Sequence, residues 1–141
     1  MRILVPVDGS DNALRAVRYA ASAKDLFRDP VELHLINVQR RVASGGVRMF
    51  IAQAQLEQFY QEEGEAALQS ARELLARQGV PCQAHIAVGE EPENIARYAQ
   101  EHDCQLIVMG TRGLGTIANM LLGSVSSRTI HLSPVPVLLV K

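Results

Sequence analysis

The sequence predicts an open, parallel α/β sheet with helices on both faces, and three observations carry that expectation. Five short strand-like apolar runs alternate strictly with four helix-patterned segments. The runs Ile3–Val7, Leu106–Met109 and Val137–Val140 are apolar without interruption, as strands buried on two sides must be. A glycine-bearing segment leaves the end of the fourth run, where sheets of this kind place their ligands. The length of 141 residues suits a single domain spanning 1–141. A chain of this size buries about two-thirds of its unfolded surface and needs neither disulfides nor a structural metal.

The first strand is Arg2–Val7, closed by turn chemistry at Asp8-Gly9-Ser10. Ser10 is suited to cap a helix whose stripe runs through Ala13, Ala16, Val17, Ala20 and Lys24, with Asp11 placed where the helix dipole favours it. Asp29-Pro30 ends this unit and Val31–Val38 forms the second strand. Residues 39–50 carry Arg40, Arg41, Arg48 and a Gly45-Gly46 pair without periodicity, and read as an exposed, mobile loop whose arginines are solvated. A long helix is expected over Ile51–Gln78, with its stripe at Leu56, Phe59, Ala66, Ser70 and Leu74 and Gly79 just past its end. Pro81–Val88 is the third strand. Pro92 then opens a helix with Ile95, Tyr98, Ala99 and His102 on one face. Cys104–Met109, a helix over Ser124–Leu132 and the strand Pro136–Val140 complete the chain.

Composition narrows the function. Fourteen basic against fifteen acidic side chains leave a net charge of −1, which gives no long-range attraction for nucleic acid. No apolar run approaches the ~20 residues of a membrane span, and no leader pattern precedes the first strand, so a cytoplasmic location is expected. Cys82 and Cys104 form no ligand spacing and read as small apolar side chains. His34, His85, His102 and His131 share no metal or triad spacing, and Ser10, Ser124, Ser126 and Ser127 lack an evident histidine partner. No catalytic residue and no protein-ligated metal is therefore assigned.

The chemistry concentrates after the fourth strand. Gly110 to Thr116 fits a phosphate loop in its glycines but lacks the lysine. Gly113 to Ala118 fits a dinucleotide fingerprint, yet follows the wrong strand, and no acidic residue lies beyond Asp103 to hold a ribose. The pattern GxxG, nine residues, then Gly-Ser is met by Gly110, Gly113, Gly123 and Ser124. Glycines admit a ligand close to the backbone. The amides of Gly123, Ser124, Val125 and Ser126, with the Ser124 and Ser126 hydroxyls, would form an anion site at a helix start, suited to phosphate. Asp8, at the carboxyl end of the first strand, stands beside the expected switch point.

With these motifs, and with its ILVPVDGS, VELHLINV, LIVMGTRGLG and LLGSVSSRTIHLSPVPVLLV segments, the chain resembles the universal stress proteins over its whole length. The resemblance implies the adenine nucleotide alpha hydrolase-like fold, with strand order 3-2-1-4-5, and commonly a homodimer. It also implies ATP binding, with Asp8 near the ribose and phosphates, the Pro6 and Val7 backbone against the adenine, and Val38 reading the adenine edge. Gly110, Gly113, Gly123 and Ser124, continued by Val125 and Ser126, match the ribose and phosphate loop. Mg²⁺ or Mn²⁺ would be held mainly by the phosphates. Residues 39–50 show no family pattern.

The expectation is a regulatory, stress-response protein that senses ATP. The alternatives are a weak ATPase or phosphotransferase, and an interaction module that holds AMP or no nucleotide. Val137–Val140, apolar on both faces yet last in the chain, is expected to pair two copies along an edge strand.

Overall fold

The computed structural model describes residues 1–42, 52–114 and 121–141. Most of the expected 39–50 loop, the first residue of the expected 51–78 helix and the 115–120 part of the glycine segment lie outside the described residues, as does the side chain of Lys24. The described elements are β1 (Arg2–Pro6), α1 (Asp11–Ala23) with a 3₁₀ turn at Lys24–Leu26, β2 (Glu32–Gln39), α2 (Gln53–Arg77), β3 (Cys82–Val88), α3 (Glu91–Glu101), β4 (Leu106–Gly110), α4 (Ser124–Leu132) and β5 (Val137–Val140). The strands form one sheet in the order β3-β2-β1-β4-β5, and every neighbouring pair is parallel. Strand limits differ from the sequence expectation by one or two residues.

Register sorts the side chains into two cores. Ile3 stands opposite Leu33 on one side and Leu106 on the other, and Leu4 opposite His34 and Ile107. Ile3, Val5, Leu33, Leu35 and Val108 pack beneath α1 and α2, while Leu4, Ile36, Val38, Ile107 and Met109 pack beneath α3. Both faces of the central strands are thus buried, which is why their sequences are apolar without alternation.

Helix ends follow local chemistry. Ser10 Oγ accepts the Ala13 amide at 3.2 Å, a cap that contributes about 1 kcal/mol. Gly79 adopts φ +64°, and the Val80 and Gly79 amides reach back to the carbonyls of Leu75 and Ala76, closing α2. α3 closes in the same way, with the Cys104 and Asp103 amides donating to Ala99 and Gln100. Here Asp103, not glycine, takes the positive φ of 49°.

The inward face of α2 corrects the sequence expectation. Tyr60, Gly64, Leu68, Ala71, Leu74 and Leu75 are buried, whereas Phe59, Ala66 and Ser70 are exposed and Leu56 only half-buried. Of the expected stripe only Leu74 faces the core. The true stripe passes through a glycine because α2 approaches β3 closely: a Cβ on Gly64 would lie 2.7 Å from Ile86 side-chain carbons. A small residue at a contact position carries no hydrophobic signal, so Phe59 drew the expected face to the solvent side.

Candidate functional site

After β3 the chain crosses to the other side of β1, so the connections leaving β1 and β4 diverge. Such a reversal opens a crevice at the carboxyl ends of the strands. A cleft of about 630 Å³ lies there. Pro6, Val7, Asp8, Val38, Gly110, Gly113, Gly123, Ser124, Val125 and Ser126 all line it. The structure therefore brings every sequence-predicted site residue to one place.

Asp8 is already engaged. Its Oδ1 accepts the Ser10 amide at 2.9 Å and its Oδ2 accepts the Leu114 amide at 3.0 Å. It thereby joins the turn after β1 to the glycine loop after β4. Gly113 is required by this clasp, since a Cβ there would lie 2.5 Å from Asp8 Oδ2. Gly110 is required by packing: its Cβ would meet the Asn12 backbone at 3.0 Å, where α1 starts against the end of β4.

At the start of α4 the anion site is narrower than the sequence implies. The Gly123 amide donates to the Thr111 carbonyl at 2.7 Å, so it is not offered to a ligand. The Ser126 hydroxyl is buried and donates to the Gly110 and Thr111 carbonyls, at 3.0 and 3.2 Å, so it too serves the fold. What remains is an α4 N-terminus with no side-chain cap, the exposed Ser124 hydroxyl and the first-turn amides of Ser124, Val125 and Ser126. Those amides, with the dipole behind them, suit an anion.

The opposite wall is apolar. Ile36 and Val38 from β2, Ile95 from α3 and Met109 from β4 enter the cleft together. Asn37, whose presence there sequence reasoning missed, is buried; its Nδ2 donates to the Val7 carbonyl at 2.8 Å, and its Oδ1 accepts from Gln39 Nε2 at 2.6 Å. The pair ties the end of β2 to the segment after β1. Arg40 is not simply solvated: it reaches Glu91, at the start of α3, across 3.4 Å at the cleft rim. Burial raises the Glu91 carboxyl above the usual carboxylate range; Arg40 pulls the other way, and the Asp8 charge adds to the rise. Asp8, Glu63 and Glu91 face Arg40 and Arg112 among the described lining residues.

Among the described residues no group of three or more His, Cys, Asp or Glu side chains is placed to hold a metal ion. No described helix is long and apolar enough to cross a membrane. An apolar slot beside an anion-ready helix start is a shape and chemistry that accept a flat base at one end and a phosphate at the other.

Residues 1–141 match the model of the universal stress protein family. A universal stress protein of Bacillus subtilis is 32% identical over 148 residues, covering 99% of this chain and 98% of its own. A solved universal stress protein of Methanocaldococcus jannaschii superposes with a TM-score of 0.84 at 28% identity, covering 99% of this chain and 94% of its own. The universal stress protein of Archaeoglobus fulgidus, solved in complex with dAMP, gives a TM-score of 0.70 at 27% identity, covering 100% and 98%.

Proposed function

The chain belongs to the universal stress protein family, and from that premise we propose that it is a cytoplasmic regulatory protein that binds ATP in the cleft between β1 and β4. The observation that carries this reading is the meeting, in one cleft, of the uncapped α4 N-terminus with the apolar wall of Ile36, Val38, Ile95 and Met109. The dAMP complex of the Archaeoglobus fulgidus relative supports an adenine nucleotide as the ligand class. In this reading the base lies against Val38 and the backbone of Pro6 and Val7. The phosphates meet the Ser124, Val125 and Ser126 amides and the Ser124 hydroxyl, Gly123 keeps the approach open, and Gly110 and Gly113 let the loop pack against Asn12 and Asp8. Asp8 holds the loop and borders the ribose. Mg²⁺ or Mn²⁺ rides mainly on the phosphates.

One observation favours a second reading. Three described carboxylates, Asp8, Glu63 and Glu91, face two arginines, which leaves the described lining net negative. A triphosphate without a divalent cation is disfavoured in such surroundings, whereas a monophosphate such as AMP carries less charge.

The deciding experiment is a thermal-shift titration of nucleotide-stripped protein with ATP, Mg-ATP, AMP and Mg-GTP. Mg-ATP at 100 times its Kd is expected to stabilise the fold by about 2.7 kcal/mol, with ATP alone and Mg-GTP much weaker. Equal shifts for AMP and Mg-ATP would favour the mononucleotide reading, and no shift with any of them would overturn both. Linear phosphate release over many equivalents of protein would replace the sensing role with that of an ATPase.

The family reading also carries a homodimer through β5. Val137–Val140 pairs with β4 on one side only, and all four residues are half-buried in the single chain. Ile130 and Leu132 on the preceding helix are exposed as well. Antiparallel pairing with a second copy would satisfy the open backbone groups of β5. Light scattering at micromolar concentration is expected to show a dimer for the intact protein and a monomer for Leu139→Pro. A monomeric intact protein would sink the proposal.

A further inference from the structure

We propose that His34, His85 and His102, gathered around Tyr98 between β2, β3 and the last turn of α3, form an acid-sensitive latch. Neutral rings hold the C-terminal half of α3 on the sheet, and protonated rings release it. Three of the chain's four histidines meet here. His34 is buried, with Nδ1 3.0 Å from the Tyr98 hydroxyl and Nε2 3.3 Å from Glu32 Oε1. The Tyr98 ring stacks on His102, with centroids 3.9 Å apart and planes 20° from parallel. The His85 ring lies 5.2 Å from Tyr98, and the His34 and His102 rings are 5.9 Å apart.

The bond to Tyr98 suits a neutral His34. With the proton on Nε2, which faces Glu32 at 3.3 Å without a hydrogen bond, Nδ1 is an acceptor for the Tyr98 hydroxyl. Protonation turns Nδ1 into a donor facing that hydroxyl, which must then reverse its own proton. It also sets a charge within 6 Å of the His102 ring.

The surrounding charges come from every neighbouring element. β1 brings Arg2, whose guanidinium bonds both Glu32 and the His102 carbonyl. β2 brings Glu32 and β3 brings His85, while α3 and the residues after it bring Arg97, Tyr98, Glu101, His102, Asp103 and Cys104. Burial pushes His34 below the ordinary histidine range against the pull of Glu32. Burial, and then the charge of His102, do the same to His85 against the pull of Glu101. The folded chain therefore binds fewer protons than the unfolded chain below about pH 6.5, so stability falls as pH drops through the histidine range. Glu32 is held below the usual carboxylate range, first by Arg2, and its contribution is lost only at more acid pH.

The effect is local because, besides the Arg2 bond to the His102 carbonyl, α3 has few other anchors at this end. Of its buried residues Pro92, Asn94, Ile95, Tyr98 and Ala99, only Tyr98 and Ala99 belong to the last turn. Tyr98 in turn rests on the histidines.

Hydrogen exchange measured from pH 7.5 to 5.5, corrected for intrinsic rates, tests the latch. Amides at the end of α3 are expected to lose protection at least tenfold relative to β1 and β4. A His85→Gln/His102→Gln double variant loses most of that pH dependence, and the milder His85→Gln, on the outer strand, loses part of it. His131→Gln, on exposed α4 surface, keeps it. Unchanged α3 protection, loss in step with β1 and β4, or full pH dependence in the His85→Gln variant would overturn the proposal.

Discussion

Gly123→Val is expected to lower adenine-nucleotide affinity at least about 100-fold, equivalent to about 2.7 kcal/mol, while the unfolding free energy stays within about 1 kcal/mol of the parent. The backbone accepts the change because Gly123 has φ −73° and ψ 160°, extended backbone that valine adopts freely. Its amide bond to the Thr111 carbonyl survives, and no side-chain cap is lost. In the proposed complex, however, a branched side chain stands at the helix start that the phosphates must approach. Isothermal titration paired with urea unfolding separates the two quantities. Parent-like affinity in the variant would place the nucleotide elsewhere.

Asp8→Asn is expected to destabilise the nucleotide-free protein by about 1–2 kcal/mol, because one charge-assisted hydrogen bond is lost and a second is weakened. Asparagine can still accept the Ser10 amide, but its NH₂ then opposes the Leu114 amide, donor against donor. The Gly113–Leu114 segment loses its tie to β1, and nucleotide affinity is expected to fall at least about tenfold with it. Urea unfolding without ligand gives the diagnostic reading. A fall in stability before any nucleotide is added identifies the clasp. Unchanged stability with weakened binding would instead mean that Asp8 serves the ligand alone.

Much of this site was legible in the sequence, for a physical reason. Glycines at fixed spacing after a buried strand, followed by Gly-Ser at a helix start, report backbone demands that few other structures make. The individual roles were less legible. Ser126 looks like a phosphate donor in sequence, yet the carbonyls of Gly110 and Thr111 claim its hydroxyl once β4 and α4 are brought together. Gly110 looks like a ligand-approach glycine, yet the Asn12 backbone is what excludes a side chain. Asn37, Ile95 and Glu91 gave no signal because they reach the cleft through the β2 register and the placement of α3, which no local pattern encodes. The face of α2 was misjudged for a related reason: its closest contact with the sheet is made by Gly64, a residue with no side chain to read.

The central place of β1 shapes how the chain comes into being. Its edge against β2 can close early, since the Ile3–Leu33 partner is made soon after it. Its other edge, carried by Ile3 and Leu4, waits for Leu106 and Ile107. That is about 100 residues of further synthesis, or roughly 5–20 s at ordinary translation rates. Throughout that interval a growing chain presents an apolar strand with unpaired backbone groups, the form of surface that recruits other strands. A fragment that stops after β3 would hold Asp8 and Val38 in place yet keep this edge open, so that it is an aggregating species before it is half of a nucleotide site. Closure of the central pair by β4 is therefore the pairing of β1 that waits longest, and it sets the frame on which the start of α4 completes the cleft.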